Sequence, residues 1–516
     1  MEEYRDYALK KIAKGAGIIF TSIILTYIFV FVYRIIAARY LGPSGYGLLS
    51  LSITILKLST VVALLGLQFG VGKFVGFYMA RKDISKTKGV LVSSLFFPLI
   101  SSIVIAAVIY LYSGQISGQI FNMPDLQPML KIFSIALPFS VLTQMLRFIF
   151  ISFKKPQFIL FSEVFGEKFV NLILTITIII FGGTLLGISY VYLVSLIIAF
   201  AAGFIILEKK VFSILSKKVK AKFDLPRLFR FAFPTIFTGI LALVMAWTDT
   251  IFIGIFRTED DVGIYNVAYV LASSLMIFLH SFGDIFYPIS SELHSKNKHP
   301  LIREMFEVVS KWIFITTLPF FLIAVVFPKH LISAFFGYQY VAGFNVIVIL
   351  AIGYFLSSIM GPTTFVLQVY NKTKFVGFYT TVFAIVNIIL NIILIPLYGI
   401  MGAAFATVIS ILSVNIIKFR KLKEILKFSL DYRAYAKFII AAIIPLFFAY
   451  LVSLYFIRMP IIIKILVFAA YLVIYGILLI AFRCFSEHDI IVLNAMERKL
   501  GVNLNPVKRI IKRYFY

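Results

Sequence analysis

Arg39-Tyr40-Leu41-Gly42-Pro43-Ser44-Gly45-Tyr46-Gly47 stands between two apolar runs, 15–38 and 46–70, and its reading decides the fold. Gly42 and Pro43 do not comfortably continue a helix, while Gly45 and Gly47 permit a tight reversal, so the stretch reads as a helix stop. A glycine-rich phosphate loop would need a preceding strand, a Lys-Ser/Thr ending and a soluble nucleotide domain, none of which the sequence offers. Each flanking run reaches the ~20 residues that cross ~30 Å of hydrocarbon. Two membrane spans joined by a short connector is the reading that fits.

Outward from this pair the pattern repeats. Further apolar runs cover 89–112, 128–152, 158–183, 186–207, 231–256, 264–290, 302–327, 338–369, 375–397, 400–419, 436–456 and 461–482, about fourteen in all. The tenth is long and carries Gly361-Pro362, which predicts a kink or break. Of the 516 residues 61% are hydrophobic and 14% charged, with mean hydropathy +1.01, more apolar surface than a soluble protein can hide. The first run lacks a small-residue cleavage site and is expected to remain as a helix. A single cysteine, Cys484, leaves no disulfide framework or four-cysteine zinc site, and five scattered histidines show no ligand spacing. His294 and His299, five apart in a charged loop, read as solvated. No cofactor or metal is expected.

A net charge of +27 raises the question of nucleic acid, and its distribution answers it. Lys and Arg crowd the amino terminus, the even-numbered connections and the carboxyl-terminal tail. The odd-numbered connections hold only Arg39, Arg257, Lys329 and Arg458. The positive-inside rule then places both termini in the cytoplasm of a cell-membrane protein. The basic charge serves topology and attraction to anionic membrane lipids, not nucleic acid.

The chain also repeats itself. Asn171-Leu172-Ile173-Leu174 answers Asn387-Ile388-Ile389-Leu390, and Gly47-Leu48-Leu49-Ser50 answers Gly263-Ile264-Tyr265-Asn266, both at an offset of 216. Gly187 and Ser195 answer Gly402 and Ser410 at 215, and the basic turns at Lys155 and Lys372 fall in register. The expected architecture is an all-α polytopic protein of two six-helix bundles, 1–207 and 231–420. A basic cytoplasmic linker, 208–230, joins them. Two further helices lie within 421–482, and a basic tail occupies 483–516. An even number of helices per repeat makes the relating axis a pseudo-two-fold along the membrane normal, as in parallel-repeat transporters.

The Arg39–Gly47 connector resembles the opening signature of the polysaccharide transporter family. So does Ile395-Pro396-Leu397-Tyr398-Gly399-Ile400-Met401-Gly402-Ala403-Ala404, between the eleventh and twelfth runs. These are O-antigen-type flippases of the multidrug/oligosaccharidyl-lipid/polysaccharide exporter superfamily, and order, helix count and repeat extend the resemblance over nearly the whole chain. An enzyme such as a polyprenyl-linked glycosyltransferase would need paired acids or a metal site at a sizeable extracytoplasmic loop. The sequence offers neither, so no enzymatic activity is expected. The resemblance implies transfer of a polyprenyl-phosphate-linked oligosaccharide to the outer leaflet by alternating access, with a polysaccharide polymerase or glycosyltransferases as partners. A drug/cation antiporter of the multidrug extrusion family and a peptidoglycan-precursor flippase are the alternatives.

Ionisable groups within the hydrocarbon cost ~2.5–3.5 kcal/mol on insertion scales and therefore mark candidate sites. Lys57 lies deep in the second run and shares a face with Ser50 and Thr54. The eighth run answers with Asn266, Ser273, His280 and Asp284, Ser273 lying 216 beyond Lys57. Arg34 and Asp249 sit in the outer parts of the first and seventh runs. Arg34 and Lys57 are the expected phosphate contacts, Thr54, Asn266 and Ser273 the expected wall, and Asp249 a further cavity residue. Asp249 and Asp284 are the candidates for ion coupling. Lys168 with Glu167, Lys311 with Glu307 and Arg147 with Glu163 read as structural pairs. From Ser486 onward, apolar residues alternate with basic ones and predict an amphipathic segment at the membrane surface.

Overall fold

The computed structural model describes residues 2–429, 432–455, 461–485 and 489, and all regular structure among them is helical. This follows from the composition, because in lipid each backbone amide must be satisfied within its own segment. Nine helices among the described residues are long and apolar enough to cross a membrane. They become ten when the bent pair Glu259–Ser273 and Met276–Ser295 counts as one span. The chain is an all-α, multi-pass membrane protein. Its outward-facing Phe447, Phe448 and Ile477 are more than half exposed, as side chains meeting lipid tails are.

Several runs are interrupted, and the interruptions have local causes. The helix Glu2–Ala63 carries the first two runs and departs from helical geometry at one residue, Gly42, with φ 71° and ψ 177°. The expected stop is thus a one-residue joint, and Pro43 starts the second limb, where its missing N–H costs nothing. That limb ends at Ala63, and the chain resumes as Leu67–Ala80 after Leu65 and Gly66 adopt positive φ. The tenth run breaks where expected. Phe344–Ile359 ends, Gly361 takes φ 64°, and Thr363–Val369 begins after Pro362. The fifth run contains a π-helical stretch, Leu160–Phe169, a form concentrated at functional sites.

By compactness the chain divides into Met1–Asn266 and Val267–Tyr516. The first unit includes the helix Leu225–Phe256, and the division by compactness therefore falls later than the division by repeat. Within this unit the repeat-related Gly47 and Gly263 meet. A Cβ on Gly47 would strike the Glu259 carbonyl, and one on Gly263 would strike the Pro43 carbonyl. Only glycine permits that approach.

The basic connection is tied to the same unit. Lys88, 8% exposed, donates to the carbonyls of Ser216 and Val219 at 2.5 and 3.0 Å, and Lys222 N–H donates to Ser85 O at 2.9 Å. Tyr78 donates to Asp224 at 3.2 Å, and a Cβ on Gly89 would collide with the Lys222 carbonyl. In the second unit, Tyr432–Tyr455 and Ile461–Ala481 pack on His299–Val326. Phe314, Phe355 and Phe438 form their common core, and Tyr475 donates to Ile315 O at 3.0 Å.

Candidate functional site

The first unit gathers ionisable groups from four of its membrane helices. Lys57 comes from the limb ending at Ala63, and its ammonium lies in the field of Lys168, Glu167, Glu163 and Arg34. Lys168, Glu167 and Glu163 come from the π-helical stretch, whose wider turn redistributes side chains that an α-helix would spread along its face. Two carboxylates are committed. Glu167, 5% exposed, pairs with Lys168, and Glu163 accepts from Arg147 of Leu126–Ser152 at 2.9 Å. Both pairs are those expected from the sequence. Lys57 and Arg34, each half-buried, form no hydrogen bond or ion pair among the described residues. The six groups therefore leave two positive charges uncompensated.

Tyrosines surround these cations. Tyr33, Tyr46 and Tyr192 are each less than a tenth exposed and feel the charge of Arg34, and Tyr192 also feels Lys168. The Tyr33 hydroxyl is buried without a partner among the described residues. Chemically, the arrangement can accept a group of negative charge with hydroxyls beside it, because an unpaired, half-buried cation gains from a charge-assisted bond. Sequence reasoning missed Lys168 and the tyrosines as members of this cluster. It treated Lys168 only as the partner of its neighbour.

The remaining candidates of this unit are bonded to protein. Thr54 is fully buried, and its hydroxyl donates to Ser50 O at 2.8 Å. Asp249, 7% exposed, accepts from the Tyr265 hydroxyl at 2.5 Å. Asn266 donates to Val262 O at 2.9 Å, and its Oδ1 accepts from Thr250 at 3.4 Å.

Ser273 and Asp284 belong to the second unit. Ser273 is half-buried and donates to Val270 O at 3.3 Å, and Asp284 is exposed. Two expectations are corrected there. Lys311 pairs with Asp489, not with Glu307. Glu307 instead pairs with Arg303 at 3.3 Å and accepts the Ser429 N–H at 3.1 Å. His294 and His299 are not merely solvated. Their rings pack on each other and on Tyr370, whose hydroxyl lies 2.9 Å from His299 Nδ1. The expected amphipathic segment, with Ile490, Ile491, Leu493 and Leu500, lies outside the described residues.

Known proteins resemble this chain at three levels. A family described as "Polysaccharide biosynthesis protein" matches residues 12–294, and the MatE family matches 234–393. Over 183 residues the chain is 29% identical to the "Probable low-salt glycan biosynthesis flippase Agl15" of Haloferax volcanii. That match spans 36% of this chain and 39% of the relative, well short of the relative's full length. "Stage V sporulation protein B" of Bacillus subtilis is 23% identical over 453 residues, 82% of this chain and 86% of that one. Among solved structures, "Lipid II flippase MurJ, inward closed conformation" superposes with TM-score 0.66 at 19% identity, covering 90% of this chain and 98% of the other. An inward-facing multidrug resistance MATE family transporter also reaches TM-score 0.66, at 14% identity over 78% of this chain and 95% of its own. At such identities the structural likeness concerns the fold.

Proposed function

We propose that this chain, which belongs to the polysaccharide biosynthesis protein family, is a flippase for a polyprenyl-phosphate-linked oligosaccharide. Transfer runs from the cytoplasmic to the outer leaflet of the cell membrane by alternating access, and both termini are cytoplasmic. A polymerase or glycosyltransferases stand on either side of this step.

The observation that carries the reading is the pair Arg34 and Lys57, two intramembrane cations without a carboxylate. A phosphate or diphosphate crossing hydrocarbon unaided would leave its charge and the sugar hydroxyls without partners, at a cost of many kcal/mol. Two cations beside buried tyrosine hydroxyls offer both kinds of partner. A drug/cation antiporter needs the opposite balance, a carboxylate free to take a cation. In this cluster Glu167 pairs with Lys168 and one oxygen of Glu163 with Arg147, so two carboxylates face four cations and the balance stays positive.

Transport of a fluorescent prenyl-phosphate-linked sugar in proteoliposomes tests the reading. Arg34→Ala and Lys57→Ala should each slow transfer at least about tenfold, which corresponds to ~1.4 kcal/mol of lost stabilisation. The double variant should fall to background at normal protein abundance. Wild-type transfer by a well-folded double variant would contradict the assignment.

A further inference from the structure

Asp489 is fully buried, at 0% exposure, although it follows the last membrane helix. Both its oxygens are held by adjacent residues of His299–Val326. Trp312 donates its indole N–H to Oδ1 at 2.8 Å, and the Lys311 ammonium pairs with Oδ2. The Phe485 ring packs at a tilt against the Trp312 ring, 5.6 Å between centroids, and lies 5.9 Å from the ammonium. Lys437 adds a second positive charge to the same neighbourhood, where Cys484 is also buried.

The helix supplies two converging donors. Glu307, one turn away, is committed to Arg303 and to the Ser429 N–H. The acceptor comes instead from a residue 178 positions away. A buried ion pair adds little net stability over an apolar pair of the same shape, so packing alone does not call for one here. An ammonium and an N–H that grip two oxygens of a carboxylate also match two non-bridging oxygens of a phosphate.

We propose that Lys311 and Trp312 form a phosphate-binding site in the second unit, and that Asp489 fills it as a tethered competitor. A tethered group acts at an effective concentration in the millimolar range, so a phosphate compound must exceed that level or bind more tightly to displace it. While Asp489 holds both donors, the site is closed to a free phosphate. The proposal concerns anion binding and stands independently of the transport assignment.

Thermal unfolding of the purified full-length protein with inorganic pyrophosphate or farnesyl phosphate tests it. Wild-type protein should be stabilised only at high anion concentration. Asp489→Ala should show the same saturable stabilisation at concentrations at least about tenfold lower, the factor expected when a millimolar tether is removed. Adding Lys311→Met should abolish the effect. Greater potency of farnesyl phosphate identifies a lipid-borne phosphate, and equal potency a free one; either upholds the site. No anion-dependent stabilisation in Asp489→Ala, or its persistence in the double variant, overturns the proposal. If Asp489→Ala does not fold, Asp489→Glu keeps the charge and weakens the fit. Its anion response should then move to lower concentration, and an unchanged response would equally overturn the site.

Discussion

Lys57 and Lys168 feel each other's charge, but only Lys168 has a carboxylate of its own, and opposite consequences follow for stability. Removing Lys57 removes an uncompensated cation, so Lys57→Met should melt no lower than wild type while losing transport. Lys57→Arg should keep part of the activity, since charge persists while geometry changes. Lys168→Met strands a buried Glu167 and should cost ~3–5 kcal/mol, read as a lower melting temperature of the purified protein. A lower melt for Lys57→Met than for Lys168→Met would reverse this assignment. Depth within an apolar run was enough to single out Arg34 and Lys57 from the sequence. It was not enough to bring Lys168 beside Lys57, because more than a hundred residues separate them and the π-helical stretch that aims Lys168 leaves no sequence signature. The same limit explains Lys311. The nearest carboxylate in sequence, Glu307, lies one helical turn away, whereas the actual partner arrives through tertiary packing.

Among the elements, breaks governed by glycine and proline were the most legible. Gly361-Pro362 interrupts its run as its chemistry dictates, and Gly42 disrupts helical geometry at the connector that opened the reading. The break at Leu65-Gly66 was not legible, since a single glycine in an apolar run rarely stops a helix by itself. The 216-residue offset identified Gly47 and Gly263 as equivalent but could not reveal that they touch. Each approaches the other's backbone so closely that a methyl group has no space. Gly47→Ala and Gly263→Ala should each destabilise by ~1–3 kcal/mol through overpacking, and Gly72→Ala, where a Cβ meets open space, should not. Melting curves for the three variants check this, and equal melts would remove the close-packing argument.

For the whole molecule, the proposed orientation and the proposed driving force both rest on charge. With Cys484→Ser as background, Lys218→Cys should react with an impermeant thiol reagent only from the cytoplasmic side, and labelling from outside would invert the proposed topology. On the proposed reading, the substrate's phosphates would move from an electrically negative cytoplasm outward. Each charge is worth ~2.3 kcal/mol per 100 mV, so two favour export by about 4–5 kcal/mol without any dedicated ion site. In proteoliposomes with sodium and proton gradients held at zero, an inside-negative potential should accelerate outward transfer. Indifference to potential together with dependence on a sodium or proton gradient would instead direct attention to Asp249. The connection between the repeats, with exposed Lys217, Lys218, Lys220 and Lys222, has the composition that trypsin cuts first. Its main chain, however, is fastened by Lys88 at Ser216 and Val219 and by the Lys222 to Ser85 bond, and a protease must draw several residues into an extended strand before it can cleave. The most basic stretch of the chain should therefore outlast digestion in native membranes, and Lys88→Met should make it the first site of cleavage.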